Sequence, residues 1–393
     1  MLKKAQALQD ELVRLRRDIH AHPELGFQEF RTATLVADTL KELGISAQTG
    51  VGRTGVVAEI GNDDGPTIAI RADMDALPIL QKSDAPYCST NDGVMHACGH
   101  DSHTAMLLGA AHLLRQSAAE EPWRGKVRFL FQPCEETFDE NGISGATAMI
   151  EDGALKDVDA VIALHIKSDA PAGELFFHDE YSLANVDSFE AKLFGDGGHG
   201  AYPHTGVDPI HILSQVLNAI YAIPSRRINP LRPCVISVGQ VKGGETTNVI
   251  PNEVVLQGTI RSYHDDVREQ LWVELERAFK QAELMGGRYA LNIIKGYPAL
   301  YNDVQVNNWM RGVAHDLVEE RQIINQEFGM GAEDFAYMAR EARGAMFMLG
   351  AAIDDSTVRH HHTDIFDIDE SVLHIGSAML AETARRFVTG QLK

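Results

Sequence analysis

Residues 95–103 read Met-His-Ala-Cys-Gly-His-Asp-Ser-His, so a thiol, three imidazoles and a carboxylate stand within nine positions. The residues that follow, 102–116, are strongly apolar at helical spacing and predict a helix. The cluster therefore lies at or just before a helix N-terminus, where the helix dipole favours a thiolate. We interpret it as the first part of a metal site whose other ligands come from elsewhere in the chain.

The composition bounds the size and class of the protein. A chain of 393 residues is too long for one typical core, so two domains are expected. The net charge of −21 argues against binding to nucleic acid or to anionic membrane surfaces, since both require Lys and Arg. The four cysteines form no CxxC pair and no disulfide framework, and no apolar run is long enough to span a membrane. We therefore expect a soluble protein in a reducing, cytoplasmic compartment.

The first 183 residues alternate between short apolar runs and amphipathic segments, which predicts an α/β layer. Buried strands are predicted over 67–72, 127–132 and 160–165. Ligands of such sheets bind at the strand ends. Four polar residues stand where these strands are predicted to stop, and they are Asp73, Glu135, Glu136 and His165.

The pattern changes after residue 183. Strand and helix signals then follow in the order β-α-β-β-α-β, which is typical of a ferredoxin-like motif. We place this smaller domain at 184–294, inserted between two segments of the larger α/β domain, 1–183 and 295–393.

Several side chains are candidate metal ligands, namely Cys98, His100, Glu136, His165 and a histidine of the run 360–362. Mixed sulfur, nitrogen and oxygen donors suit zinc, although manganese, cobalt and nickel remain open. One tetrahedral metal does not use five donors, whereas two metals sharing a ligand or a water would.

Each of these residues also has a structural interpretation. A single strand-end histidine such as His165 is more often structural than a ligand, and three consecutive histidines can form a solvated loop. The combination at strand and helix ends favours the metal interpretation. Glu135 and Glu136 are adjacent, so one can bind metal while the other acts as general base toward an activated water.

Seven short motifs follow one another along the chain, namely HAHPELG (20–26), RADMDALP (71–78), HACGHDSH (96–103), FQPCEE (131–136), GGHGAYPH (197–204), TNVIP (247–251) and GAEDF (331–335). In this order they resemble the M20 metallopeptidase family, and in particular its amidohydrolases that cleave N-acyl amino acids, such as hippurate hydrolases, aminoacylases and auxin-amino-acid conjugate hydrolases. The resemblance covers essentially the whole chain.

The resemblance implies a role for individual residues. Two divalent metals, Zn²⁺ or Mn²⁺ with Ni²⁺ or Co²⁺ possible, would be bound by Cys98, His100, Glu136, His165 and His362. Glu135 would be the general base, and His199 of the inserted dimerisation domain would reach the partner's active site and stabilise the oxyanion. Asn248 and Arg261 would hold the free carboxylate of the substrate. A homodimer or larger homo-oligomer is implied.

Two departures from the family pattern concern the site. The usual His-x-Pro of the tail is replaced by His362-Thr363-Asp364, which selects His362 as ligand but leaves His361 open. The segment 137–144 after the glutamate pair is longer than in the family, and we expect it to border the acyl or side-chain pocket.

The predicted function is metal-dependent hydrolysis of N-acyl-L-amino acids carrying an acetyl, benzoyl or similar group. The alternatives are a dipeptidase or carboxypeptidase of the same fold and a non-catalytic metal-binding protein. A structural metal site is closed and has no spare carboxylate base, so Glu135 beside Glu136 speaks against the second alternative.

Overall fold

The computed structural model describes residues 1–121 and 123–392, and the chain divides into two compact units. Unit 1 comprises Met1–Glu180, Tyr301–Phe328 and Asp334–Lys393, and unit 2 comprises Tyr181–Leu300 and Gly329–Glu333. The predicted boundaries at 183 and 294 fall near the ends of unit 2, and the assignment of a separate function to each domain stays a prediction. No helix in the described part of the chain is long and apolar enough to cross a membrane.

Unit 1 contains most of the helices and a large sheet. Its helices are α1 Leu2–Gln6, α2 Gln9–Ala21, α3 Phe30–Glu42, α4 His100–Glu120, α5 Gly145–Glu151, α9 Val304–Leu317, α10 Phe335–Glu341 and α11 Leu373–Val388. Its strands are β1 Ala47–Val51, β2 Gly55–Gly61, β3 Thr67–Asp73, β4 Lys126–Gln132, β5 Ala160–Pro171, β6 Leu175–Phe177, β15 Ile323–Asn325 and β16 Arg343–Ala352. The chain passes between the units in β7 Glu180–Leu183 and β14 Leu300–Asn302.

The large sheet has the strand order β1-β2-β4-β3-β5-β16-β6-β15. Its centre is parallel, since β3 pairs in parallel with β4 and β5, and β5 with β16. Every residue of β3 is buried, as expected for a parallel strand covered on both faces. Ile68, Ile70 and Ala72 belong to the core that also contains α4 and α11, while Arg71 lies on the other face, 5.9 Å from the ring of Phe335 in α10. The predicted α/β class is confirmed.

The strand β5 corrects one sequence-based expectation. His165 was predicted at a strand end, but β5 continues to Pro171 because β16 keeps pairing with it beyond that point. On its other side β5 pairs with β3, where Ala163 is opposite Arg71. Two residues further on, His165 is level with Asp73, the last residue of β3. The histidine therefore still lies at the edge where the neighbouring strand stops.

Unit 2 has its own sheet and core. Its elements are β8 Asn185–Phe194, β9 Gly198–His199, α6 Pro209–Arg226, β10 Cys234–Lys242, β11 Val249–Ile250, β12 Glu253–Ser262, α7 Asp265–Phe279, α8 Gln281–Leu284 and β13 Arg288–Lys295. The antiparallel sheet has the order β10-β12-β8-β13, and β9 pairs with β11 in a separate ribbon. At Gly258 in β12 a Cβ atom would lie 2.4 Å from the ring of Phe189, so a side chain there would displace a core aromatic.

A buried ion-pair cluster ties α2 to α4 and to the C-terminal segment. Arg16 is fully buried and donates to Asp101 (2.8 Å), Asp367 (2.9 Å) and Glu370 (3.1 Å). His20 Nδ1 lies 2.7 Å from the same oxygen of Asp101. Burial alone would raise the pKa of Asp101, but Arg16 and His20 outweigh it and hold that pKa well below its usual range.

We expect Arg16→Met to destabilise the protein by about 3–5 kcal/mol, because it leaves the buried carboxylate of Asp101 without its main counter-charge. Urea unfolding measures this effect. Arg14→Met on the same helix is the control, since it breaks only the exposed pair with Glu11 and should cost less than about 1 kcal/mol. Equal losses in the two variants would contradict the expectation.

Candidate active site

The turn before α4 sets two candidate ligands on either side of one glycine. Gly99 has φ 95°, in the left-handed region that favours glycine, and α4 begins at the next residue, His100. A Cβ atom on Gly99 would also lie 3.4 Å from Phe366. The turn thereby brings Cys98 and His100, both buried, into one group of candidate metal donors.

The first donor group contains Cys98, His100 and His165, whose ligand atoms all lie within 4.8 Å of one another. Cys98 Sγ is 3.5 Å from His165 Nε2. His165 Nδ1 lies 2.7 Å from the carbonyl oxygen of Ile166, a contact that places the proton on Nδ1 and leaves the Nε2 lone pair toward the thiol.

The second donor group contains Cys98, Glu136 and His362, again within 4.8 Å. His362 Nε2 lies 3.3 Å from Glu136 Oε1, and the backbone of His362 is left-handed, with φ 62°. The neighbouring His361 instead accepts a long hydrogen bond of 3.4 Å from Ser168 N through its Nε2 atom. Of the two candidate tail histidines, His362 is the one that joins this group.

The electrostatics of the pocket suit a cation. His100 Nε2 and Glu136 Oε1 are buried, lie 3.7 Å apart and make no hydrogen bond within the described residues. Burial alone would lower the pKa of His100, but Asp73, Asp75 and Glu136 outweigh it and raise that pKa to about 10. Burial, with Glu136 and Glu135, raises the pKa of the Cys98 thiol well above its usual value. Both shifts share one cause, which is the negative charge of the surrounding carboxylates. A divalent metal that replaces the proton on His100 and the proton on Cys98 would meet the same attraction, so the donor set fits such a metal.

Asp75 connects the two halves of this site, a role that the sequence motifs did not predict. Its Oδ1 atom lies 3.1 Å from His100 Nδ1, and its Oδ2 atom accepts a hydrogen bond of 3.0 Å from Glu136 N. One carboxylate thus orients an imidazole and fixes the backbone of the neighbouring acid. Its position two residues after the end of β3 is the feature of the sequence that could have identified it as a site residue.

Glu135 is buried beside these donors, within 4.8 Å of His100 and Glu136. Its Oε1 atom lies 3.4 Å from Asp334 N. The Asp334 carboxylate is itself held by hydrogen bonds from Arg71 Nη2 (3.0 Å), Gln132 Nε2 (2.7 Å) and Ala146 N (3.0 Å). The surroundings of Glu135 are therefore built from buried, mutually bonded polar groups.

Three other residues of the opening stretch have different surroundings. Both ring nitrogens of His103 are engaged, with Nδ1 2.6 Å from Asp73 and Nε2 accepting from Ile166 N at 2.9 Å, so neither is free for a metal. Asp101 belongs to the Arg16 cluster. His96 is buried and makes no hydrogen bond among the described residues, and burial lowers its pKa to about 3.

Three predicted site residues lie in unit 2. His199 is exposed in β9, where it pairs with Val249 of β11, and its Nδ1 atom accepts from Ala201 N at 3.0 Å. Asn248 precedes β11 and is exposed, and Arg261 is part of β12. The roles of these three residues in catalysis or substrate binding stay predictions.

The chain matches known proteins over nearly its full length. Residues 69–386 match the family model of peptidase family M20/M25/M40. The chain is 40% identical over 386 residues to an N-acetyl-L-cysteine deacetylase of Bacillus subtilis, covering 97% of this chain and 89% of that protein. It is 38% identical over 385 residues to thermostable carboxypeptidase 2 of Saccharolobus solfataricus, covering 97% and 96%.

A solved structure agrees with these matches. A dinuclear metal-binding M20 peptidase of Bacillus subtilis superposes with a TM-score of 0.82 at 34% identity, covering 97% of this chain and 99% of that one. The family model spans the strands and helices that carry the donor groups from Asp73 to His362. The chain therefore belongs to peptidase family M20/M25/M40 and is a hydrolase that cleaves amide bonds with the help of divalent metal.

Proposed function

We propose that the protein hydrolyses the amide bond of small N-acyl-L-amino acids to a carboxylate and a free amino acid. The observation that carries this proposal is the buried carboxylate of Glu135 within 4.8 Å of the metal donors His100 and Glu136. A closed structural metal site would have no such spare base. The similarity to a protein named as a deacetylase of N-acetyl-L-cysteine supports an N-acyl amino acid as the substrate class.

The proposal includes two divalent metals, Zn²⁺ or Mn²⁺, with Ni²⁺ or Co²⁺ as further options. Cys98 belongs to both of the donor groups described above, so it would be one of the ligands of the metal pair. The remaining ligands would be His100 and His165 in one group and Glu136 and His362 in the other. When bound, such a metal pair polarises the amide carbonyl and lowers the pKa of water.

Glu135 carries the proton transfers in this proposal. Its carboxylate takes a proton from the attacking water, and the same oxygen later gives that proton to the nitrogen of the leaving amino acid. Asp334 N–H, 3.4 Å from Oε1, fixes the direction of the side chain. Asp75 fixes the next peptide group through Glu136 N.

Arg261 and Asn248 are proposed to bind the carboxylate of the substrate. Burial lowers the pKa of the Arg261 guanidinium, which makes one side-chain hydrogen bond, to Thr259 Oγ1 (3.2 Å), and no ion pair within the described residues of its unit. The nearby charge of Asp187 opposes this shift only in part. A half-buried guanidinium that makes no direct ion pair favours an anionic ligand, because a planar guanidinium binds carboxylates in a bidentate manner.

His199 is proposed to stabilise the oxyanion of the partner's active site in a homodimer formed through unit 2. Its exposure, and its place on the ribbon of β9 and β11 beside Asn248, are compatible with contact to a second chain. We also propose a cytoplasmic location, because all four cysteines are free.

A peptidase is the second candidate function, favoured by the similarity to thermostable carboxypeptidase 2. Both candidates share the metal centre and the base, and both require a free carboxylate on the substrate. A panel of N-acetyl and N-benzoyl amino acids against dipeptides with the same C-terminal residue separates the two. A higher kcat/KM for the dipeptides would replace the first proposal by the second.

We expect Glu135→Gln to retain bound metal and to lower kcat at least about 100-fold, since a general base contributes on the order of 10²–10⁴. Steady-state kinetics and metal analysis measure both quantities. Glu42→Gln, at the exposed end of α3 and outside every donor group, is the control that removes a carboxylate elsewhere on unit 1. Near-normal turnover of the Glu135 variant would remove this residue from the role of base.

We expect Arg261→Met to lower kcat/KM for N-acyl amino acids about 10- to 100-fold through KM, because a hydrogen bond to a charged group is worth about 1.5–3 kcal/mol. The same substrate with its carboxylate converted to an amide should be hydrolysed equally by both proteins. A variant that loses activity equally toward both substrates would contradict a role in carboxylate binding.

We expect Cys98→Ala to lower the metal content below the two ions per chain proposed for the native protein, because it removes the donor common to both groups. Metal analysis after dialysis against a weak chelator gives the stoichiometry. Cys234→Ala in unit 2 is the matched control and should bind metal like the native protein. Native stoichiometry in the Cys98 variant would exclude a ligand role.

A further inference from the structure

Glu29 is a fully buried carboxyl group that is not among the candidate metal ligands. It follows the HAHPELG segment and precedes α3. Its Oε1 atom accepts hydrogen bonds from Phe27 N (3.0 Å) and from Cys134 N (2.8 Å), and its Oε2 atom accepts from the hydroxyl of Thr54. Three donors from three segments of unit 1 thus converge on one carboxyl group.

The most informative of these contacts is the one to Cys134, the residue directly before Glu135. Cys134 has φ 45°, a left-handed conformation that is uncommon for a residue with a side chain. Its N–H is held by Glu29, and its carbonyl oxygen accepts from Gly145 N (2.8 Å) at the start of α5. The surroundings therefore fix both sides of an unfavourable backbone conformation.

Gly26 packs against Cys134 from another direction. A Cβ atom on Gly26 would lie 2.7 Å from Cys134 Sγ and 3.2 Å from Cys134 Cα, so only glycine allows this approach. The segment 20–29 thus contacts Cys134 at two points. Gly26 packs against it closely because it has no side chain, and the buried carboxyl group of Glu29 accepts its N–H.

Glu135 consequently stands between two peptide N–H groups that are each held by a buried carboxyl group. The N–H of the preceding residue, Cys134, donates to Glu29, and the N–H of the following residue, Glu136, donates to Asp75. The Asp75 contact fixes the peptide plane that follows the Glu135 Cα atom, and the hydrogen bond from Gly145 N to the Cys134 carbonyl oxygen fixes the plane that precedes it. The Glu29 contact fixes the peptide plane on the other side of Cys134, so it helps to set the left-handed conformation of Cys134 and, through it, the direction in which the Glu135 side chain leaves the backbone.

We propose that Glu29 is a positioning residue that acts through Cys134 to hold Glu135 in its catalytic direction. This inference rests on the proposed function, in which Glu135 is the general base. Glu29 itself touches no reacting atom in this scheme. A displacement of the base by a fraction of an ångström to 1 Å is enough to slow proton transfer strongly.

Glu24 offers a matched control within the same segment. It is also a carboxylate that accepts from backbone N–H groups, but its partners are Arg31 N (2.9 Å) and Thr32 N (2.8 Å) in the first turn of α3. The Glu24 side chain stabilises the start of α3 and makes no hydrogen bond with Cys134 N within the described residues. Removing it therefore measures how far a general destabilisation of segment 20–29 lowers kcat.

The experiment compares Glu29→Ala, Glu29→Gln and Glu24→Ala as full-length, metal-loaded enzymes. We expect Glu29→Ala to lower kcat about 10- to 100-fold, with KM within about threefold of the native value and metal content unchanged. Glu29→Gln should recover kcat to within about threefold, because its amide oxygen can accept from Cys134 N–H and its amide nitrogen can donate to Thr54. Burial raises the pKa of Glu29 to about 7, so a neutral amide is a close substitute.

Glu24→Ala should keep kcat within about threefold even if it lowers the melting temperature. If Glu29→Ala does not fold, Gly26→Ala tests the same support of Cys134. The added methyl group would displace Cys134 and should lower kcat about tenfold. Native kcat in Glu29→Ala, or in Gly26→Ala where that variant is used, would overturn the inference.

A double-mutant cycle separates a positioning role from a general structural one. In a Glu135→Gln background, Glu29→Ala should change the residual rate less than about twofold, because the group it positions is gone. Full additivity of the two substitutions would overturn the inference and leave Glu135 as the base. Near-native kcat in Glu135→Gln alone would overturn the proposed function, and the role of Glu29 with it.

Discussion

The burial of several carboxylates at one end of the central strands is the constraint on which unit 1 depends. An ionised carboxylate away from water is costly unless it is paired and hydrogen-bonded. Asp73 is paired with Arg71 and His103, and Asp101 with Arg16 and His20. We call Asp73 and Asp101 the outer acids; their negative charges are balanced by arginine and histidine side chains of the protein itself.

The charge of the acids among the candidate metal donors is balanced differently. Near Cys98, Glu136 Oε1 lies 3.7 Å from His100 Nε2 and 3.3 Å from His362 Nε2. Within the described residues, the buried atoms His100 Nε2 and Glu136 Oε1 make no hydrogen bond. Both of these atoms belong to candidate metal donors. Pairing the outer acids within the protein keeps them from competing for the ion, while the inner donors stay available.

The α/β class and the β-α-β-β-α-β order of unit 2 could be read from the sequence because apolar runs and amphipathic segments alternate clearly there. Cys98, His100 and Glu136 could be named as candidate metal donors because they lie in short, distinctive motifs, and the structure brings them into common donor groups; their role as ligands stays a prediction. The end of β5 could not be predicted from the sequence, because pairing with β16, almost two hundred residues later, extends that strand past His165. Asp75 and Glu29 were likewise missed, since a carboxylate that holds a distant backbone N–H looks like any other acid in a sequence.

The place of β16 in the sheet has a consequence for how the chain is made. β5 pairs with β3 on one side and with β16 on the other, and β16 is the last strand to be synthesised. Until the ribosome has passed Ala352, the nascent chain holds a central strand whose backbone N–H and C=O groups are unpaired along one edge, although all of β8 to β13 has already been translated. Contacts of such long sequence separation are slow to form and leave an edge open to association. We therefore expect the nascent chain to be most prone to aggregation late in translation, after unit 2 has been synthesised and before β16 pairs with β5.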